Sequence, residues 1–178
     1  MNFWQMRSER YSKGLDDLIE YMNTQVDTRQ LNMIEIGSYL GESTVIFARN
    51  FKTVFSIDPY VNGYDDKDVA SYHMPMEQVH EQFLKNTSDH KNIVQVRKMS
   101  DIAVLDFELD SIDFVYIDGN HQYEFVKKDI QNYLPIVKNN GFIAGHDYKY
   151  NAIKKAVSET VGEIDRSFCD HSWIKRKI

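Results

Sequence analysis

The sequence predicts an α/β domain with a central parallel sheet covered on both faces. Three observations carry this expectation. Short β-rich runs alternate with longer helical patterns along the chain. The run from Ile112 to Asp118 is apolar at successive positions, as a strand packed on both sides requires. The last two β-rich runs are joined so closely that they can only turn back on each other.

Taken in order, Leu15, Leu18, Ile19 and Met22 fall at helical spacing, so residues 12–25 read as an amphipathic helix ahead of the sheet, its apolar face used in core packing. Asn32 to Gly37 is a first strand entering a glycine turn, and Glu42 to Asn50 continues as a helix. Val54 to Asp58 is a second strand stopped by Pro59. Residues 60–75 are too polar for core and too long for a turn, and read as a loop or lid. Helices over 76–86, 101–105, 123–137 (until Pro135 disturbs it) and 151–161 alternate with strands over 93–97, 112–118 and 141–145. Strands over 164–168 and 173–178 close the chain as an antiparallel hairpin.

At 178 residues the chain suits one domain, with residues 1–30 as a helical lead-in and 31–178 as the core. The net charge of −6 argues against nucleic acid and anionic membrane as partners. No apolar run approaches the ~20 residues of a membrane span. The first residues carry Arg7, Glu9 and Arg10 where a leader would be apolar, and the expectation is a cytoplasmic protein. The one cysteine, Cys169, excludes a disulfide framework and reads as a small buried thiol.

In a parallel sheet the carboxyl ends of the strands share one rim. Here those ends carry Glu35, Asp58, Asp118 and Asp147, with His121 and His146, and they should line one crevice. Gly37, Gly41, Gly119 and Gly145 sit beside them, more glycines than folding alone needs. Like charges gathered on a rim call for a cation or a donor-rich ligand. The turn Gly37-Ser-Tyr-Leu-Gly41-Glu42 lacks the glycines of a dinucleotide turn and the lysine of a phosphate loop, and Glu42 would repel a phosphate. A cationic ligand without phosphates fits, and S-adenosylmethionine is one. Glu35 would then lie under the turn, with Asp58 accepting both ribose hydroxyls.

With these residues in hand, the chain resembles the class I methyltransferases, in particular the small O-methyltransferases related to catechol and macrocin O-methyltransferases. Glu35 to Gly41 is similar to the family's first motif, Ser56 to Tyr60 to its ribose-binding acid motif, and Met99-Ser100-Asp101 to its adenine contact. Residues 113–123 and 141–148 are the most specific part. The resemblance implies a Rossmann-like, doubly wound seven-stranded sheet, mostly parallel, with an antiparallel C-terminal strand. It implies S-adenosylmethionine held by Glu35, Gly37, Ser38, Gly41, Asp58, Ser100, Asp101 and Asp118. It also implies Mg2+ or another divalent cation on Asp118 and on His146-Asp147, where His146 replaces an oxygen ligand and favours either a different metal, a site of Asp118 and Asp147 alone, or none. His121 stands three residues after the metal Asp, where those enzymes carry a lysine base. An imidazole of ordinary pKa could take the proton there, with His146 as the other catalytic candidate.

The expected activity is O-methylation of a small molecule or sugar, the acceptor being held by residues 1–12 and 60–75. Two other classes stay open: a metal-dependent hydrolase or phosphotransfer enzyme using Asp58, Asp118 and Asp147, and a non-catalytic nucleoside-binding module. Phe3 and Trp4 could cover either the pocket or the partner of a homodimer. His80-Glu81 lacks a second zinc ligand, Asp66 and Asp68 lack the rest of a calcium loop, and Lys175-Arg-Lys177 reads as protection of a sheet edge.

Overall fold

The structure is a computed structural model that describes residues 9–65 and 74–178. The readings placed on Phe3, Trp4, Arg7, Asp66 and Asp68 lie outside the described residues. Seven strands form one sheet: β1 (Asn32–Ile36), β2 (Thr53–Ile57), β3 (Ile93–Val96), β4 (Ile112–Ile117), β5 (Val137–Gly145), β6 (Arg166–Ser167) and β7 (Trp173–Arg176). Their order is β3-β2-β1-β4-β5-β7-β6. The first five are parallel, and β7 runs antiparallel to both β5 and β6. This is the Rossmann-like sheet with a reversed C-terminal strand that was expected.

Helices cover both faces. On one side α1 (Glu9–Asn23) and α2 (Glu42–Asn50) bury Leu15, Leu18, Met22 and Phe47 against Met33, Phe114 and Tyr116. On the other, α5 (Tyr123–Tyr133) and α6 (Asn151–Thr160) bury Ile130, Tyr133 and Val157 against Val115, Ile117 and Ile143. Alternate residues of β4 thus enter opposite cores, which is why its sequence is apolar throughout. Two further helices, α3 (Met76–Thr87) and α4 (Ser100–Ala103), lead into and out of β3. The strand order reverses between β1 and β4, so a crevice opens beyond their carboxyl ends.

Several details differ from the sequence expectation. Helix α5 ends at Tyr133 with Leu134 as its C-cap still in helical geometry, and Pro135, which has no N–H to donate, stops the ladder there. Strand β5 begins four residues early at Val137, which pairs with Ile112 before the register shifts. Strand β6 is only two residues long, since Phe168 already enters the 168–172 turn. Strand β7 lies between β5 and β6, but β6 pairs only with Trp173 and Ile174, so the basic run extends past that neighbour. Lys175 pairs with Asp165 at 3.0 Å and Lys177 with Asp110 at 3.2 Å. Cys169 is exposed in that same turn rather than buried.

Candidate active site

The crevice at the β1/β4 reversal is a cleft of about 100 Å³ that opens to solvent. Its walls come from Gly37 and Ser38 after β1, Asp58 after β2, Ser100 at the start of α4, and Asp118, Gly119 and His121 after β4. The chain turns sharply here for a steric reason. Gly37 has φ +90°, and a Cβ on it would stand 2.1 Å from the carbonyl oxygen of Asp118. The two strand ends can therefore cross only with glycine at that position. Gly41 also has positive φ, but a Cβ there would strike Thr87 and Phe83 of α3, and one on Gly145 would strike Ile117 and Trp173. Packing thus explains three of the four rim glycines, more than the sequence suggested, and only Gly119 opens onto the cleft without such a contact.

Asp58 is 7% exposed and accepts backbone N–H groups from Tyr39 (2.9 Å, Oδ2) and Tyr60 (2.8 Å, Oδ1). Burial raises its pKa, and these two bonds work against the rise. Each oxygen keeps lone-pair capacity toward the cleft. Glu35 does not reach the cleft wall. It is fully buried beneath the turn and accepts the hydroxyls of Ser43 and Thr44 at 2.5 Å each, tying β1 to the start of α2. Burial pushes its pKa up to about 7, against those two bonds.

Ser100 lines the cleft and donates to Asp129 of α5 at 2.6 Å, while Asp101 faces outward and pairs with Lys128 at 2.8 Å. Asp129 was not singled out in the sequence. Burial pushes its carboxyl up to about 6.

At the other end Asp118 and His121 line the cleft, with His146 and Asp147 beside them. The His121 Nε2 lies 3.1 Å from Asp147 Oδ2 and 3.7 Å from Asp118 Oδ1. Its Nδ1 lies 3.0 Å from Asp65 Oδ2. Burial opposes the imidazolium, but Asp118, Asp147 and Asp65 outweigh it and push the pKa up to about 10. The ordinary imidazole expected from the sequence is thus corrected: with its carboxylates uncompensated, His121 is a cation at neutral pH. His146 Nδ1 lies 3.4 Å from Asp147 and 3.7 Å from Asp118, and its buried Nε2 has no hydrogen-bond partner. Burial disfavours its charged form too, yet the two carboxylates raise its pKa.

Two neighbours of this cluster escaped the sequence reading. Tyr11 of α1 donates to Asp118 Oδ2 at 3.1 Å and sets its ring edge-on to His146. Asp65, in the polar 60–75 stretch read as a loop or lid, is 4% exposed.

One triad, Asp118, His121 and Asp147, offers ligand atoms all within 4.8 Å of one another. Two carboxylates beside imidazole nitrogen form a donor set that fits a divalent cation, more naturally a transition metal than magnesium.

Comparison with known proteins decides the family. Residues 34–148 match the family described as "Methyltransferase domain", a span that holds Glu35, Asp58, Ser100, Asp118, His121 and Asp147. The chain belongs to this methyltransferase family. An uncharacterized protein of Acanthamoeba polyphaga mimivirus, R132, is 27% identical over 74% of the methyltransferase chain, which spans 58% of that relative's length. The rRNA methylase of Streptococcus thermophilus superposes with a TM-score of 0.64 at 15% identity, covering 97% of this chain and 99% of its own. The N-methyltransferase NodS of Bradyrhizobium japonicum, solved with S-adenosylhomocysteine, superposes at 0.63 and 12% identity, covering 98% and 91%. At such identities the likeness fixes the methyltransferase fold and leaves the acceptor open.

Proposed function

We propose that this methyltransferase moves the methyl group of S-adenosylmethionine to a hydroxyl of a small acceptor, with His121 taking the proton. The observation that carries this reading is that one cleft has a carboxylate suited to ribose, Asp58, in one wall and an imidazole among carboxylates, His121, in another. The cleft's mix of Ile36, Leu40 and Met76 with Ser38 and Asp58 suits an adenosyl group, apolar at its faces and polar at its ribose. The bound S-adenosylhomocysteine of NodS supports the cofactor.

In the reaction the acceptor oxygen forms its bond to the methyl carbon as the carbon–sulfur bond breaks, and S-adenosylhomocysteine leaves. The hydroxyl proton passes to His121 Nε2, since Nδ1 is engaged by Asp65. Asp118 and Asp147 would hold a divalent cation, leaving His121 Nε2 for the proton. Bound there, it would supply positive charge that lowers the acceptor hydroxyl pKa and offsets the carboxylates that keep His121 protonated. In a metal-free reading the His121 imidazolium itself neutralises part of that charge and, being protonated already, is not the base.

S-adenosylhomocysteine should stabilise the fold by about 2.7 kcal/mol at a hundredfold excess over its dissociation constant. Calorimetric titration checks this, and Asp58→Ala should lose most of the affinity while remaining folded. A screen of phenols, sugars and small alcohols with S-adenosylmethionine should find an acceptor. With it, His121→Ala should slow turnover by about a hundredfold or more. Chelator should slow turnover while sparing cofactor binding. Full activity in chelator would select the metal-free reading, and full activity of His121→Ala would remove the base.

A further inference from the structure

We propose that Asp65 is the positioning residue of His121, holding its main chain and ring so that Nε2 is the nitrogen presented toward Asp118, Asp147 and the acceptor. The proposal rests on the reading of His121 as the base. One carboxylate oxygen of Asp65, Oδ2, accepts both the backbone N–H of His121 at 2.9 Å and its Nδ1–H at 3.0 Å. Two bonds from one residue to one atom fix the position of the main chain and the rotation of the ring together. Which ring nitrogen is free to exchange a proton is set by the bond the other nitrogen makes.

A carboxylate in a polar loop costs nothing if it stays in water, whereas burying one costs free energy unless partners replace the water. Asp65 is buried, and His121 supplies such partners. The segment carrying Asp65 is docked at both ends of the cleft. Tyr60 donates its backbone N–H to Asp58 at 2.8 Å, and the Tyr64 carbonyl accepts from Asn120 Nδ2 at 2.9 Å. Five residues after its bond to the ribose carboxylate, the chain reaches the orienting carboxylate of the base. The arrangement follows the general logic of a base oriented by a third group.

The test uses the full chain labelled with 15N-histidine, observed through its ring N–H signals by NMR, with His121→Gln identifying the His121 signals. An exchange-protected Nδ1–H of His121 should be present in the parent chain. It should be lost in Asp65→Ala and retained in Asp65→Asn, whose side-chain oxygen can still accept both bonds. Retention of the signal in Asp65→Ala, or its loss in both variants, overturns the proposal. Absence of S-adenosylhomocysteine binding in the parent chain would instead overturn the cofactor reading, and the ring signal would still report on Asp65.

Discussion

Asp129 stores a pH dependence that can be measured without knowing the acceptor. Its carboxyl is buried behind Ser100, and burial raises its pKa from 3.8 to about 6. A group whose folded-state pKa is raised contributes stability that is complete below its unfolded value and lost as pH rises through the folded one. The parent chain should therefore lose stability relative to Asp129→Asn between about pH 4 and pH 6, because asparagine keeps the acceptor for Ser100 without titrating. Thermal midpoints across that range check this, and parallel curves would show that Asp129 is as easily ionised folded as unfolded. At this scale the sequence was legible where a strand end announced the residue. Asp58, Asp118 and Asp147 follow β2, β4 and β5, and the parallel sheet gathers them whatever else the chain does. Asp65, Asp129 and Tyr11 had no such signal. Asp65 meets a residue 56 positions away, and Tyr11 one 107 positions away, through contacts that no local pattern encodes.

Secondary-structure elements were legible by periodicity, and their ends only where proline or glycine marked them. Helix α2 matched to the residue, whereas β6 shrank, because the turn that follows it is fixed by the bonds of Asp170 to Ser172, which neither proline nor glycine announces. That turn also receives α1, and here two effects of opposite sign compete. Gly14 lies inside α1, where alanine would favour the helix by about 1 kcal/mol. A Cβ on Gly14, however, would stand 2.0 Å from Asp170 Cγ. Asp170 cannot swing aside cheaply, since it accepts the Ser172 N–H at 2.9 Å and the Ser172 hydroxyl at 2.7 Å. The steric term should win. Gly14→Ala is expected to lower stability by about 1–3 kcal/mol in urea unfolding. Because α1 also carries Tyr11, the same variant should disturb the Asp118 end of the cleft, and a gain in stability would mean that α1 can shift along the sheet.

For the whole molecule, fold and charge answer different questions. The same sheet serves the rRNA methylase of Streptococcus thermophilus, so architecture alone does not separate a small acceptor from a polynucleotide. Charge offers a test, because affinity for a phosphate backbone comes mainly from cations that displace its counterions. This chain carries 21 Lys and Arg against 27 Asp and Glu. Its densest basic run, Lys175 to Lys177, has Lys175 and Lys177 paired with Asp165 and Asp110, and the deep end of the cleft is built from carboxylates. An RNA strand approaching that end would meet like charge. A fluorescently labelled RNA hairpin should therefore bind more weakly than about 100 µM in anisotropy titrations at physiological salt, at the weak end of nonspecific affinity. S-adenosylhomocysteine should leave that result unchanged, since filling the cleft adds no cationic surface. Tighter binding that falls steeply with added salt would place a basic surface outside the described residues and move the acceptor from a small molecule to RNA.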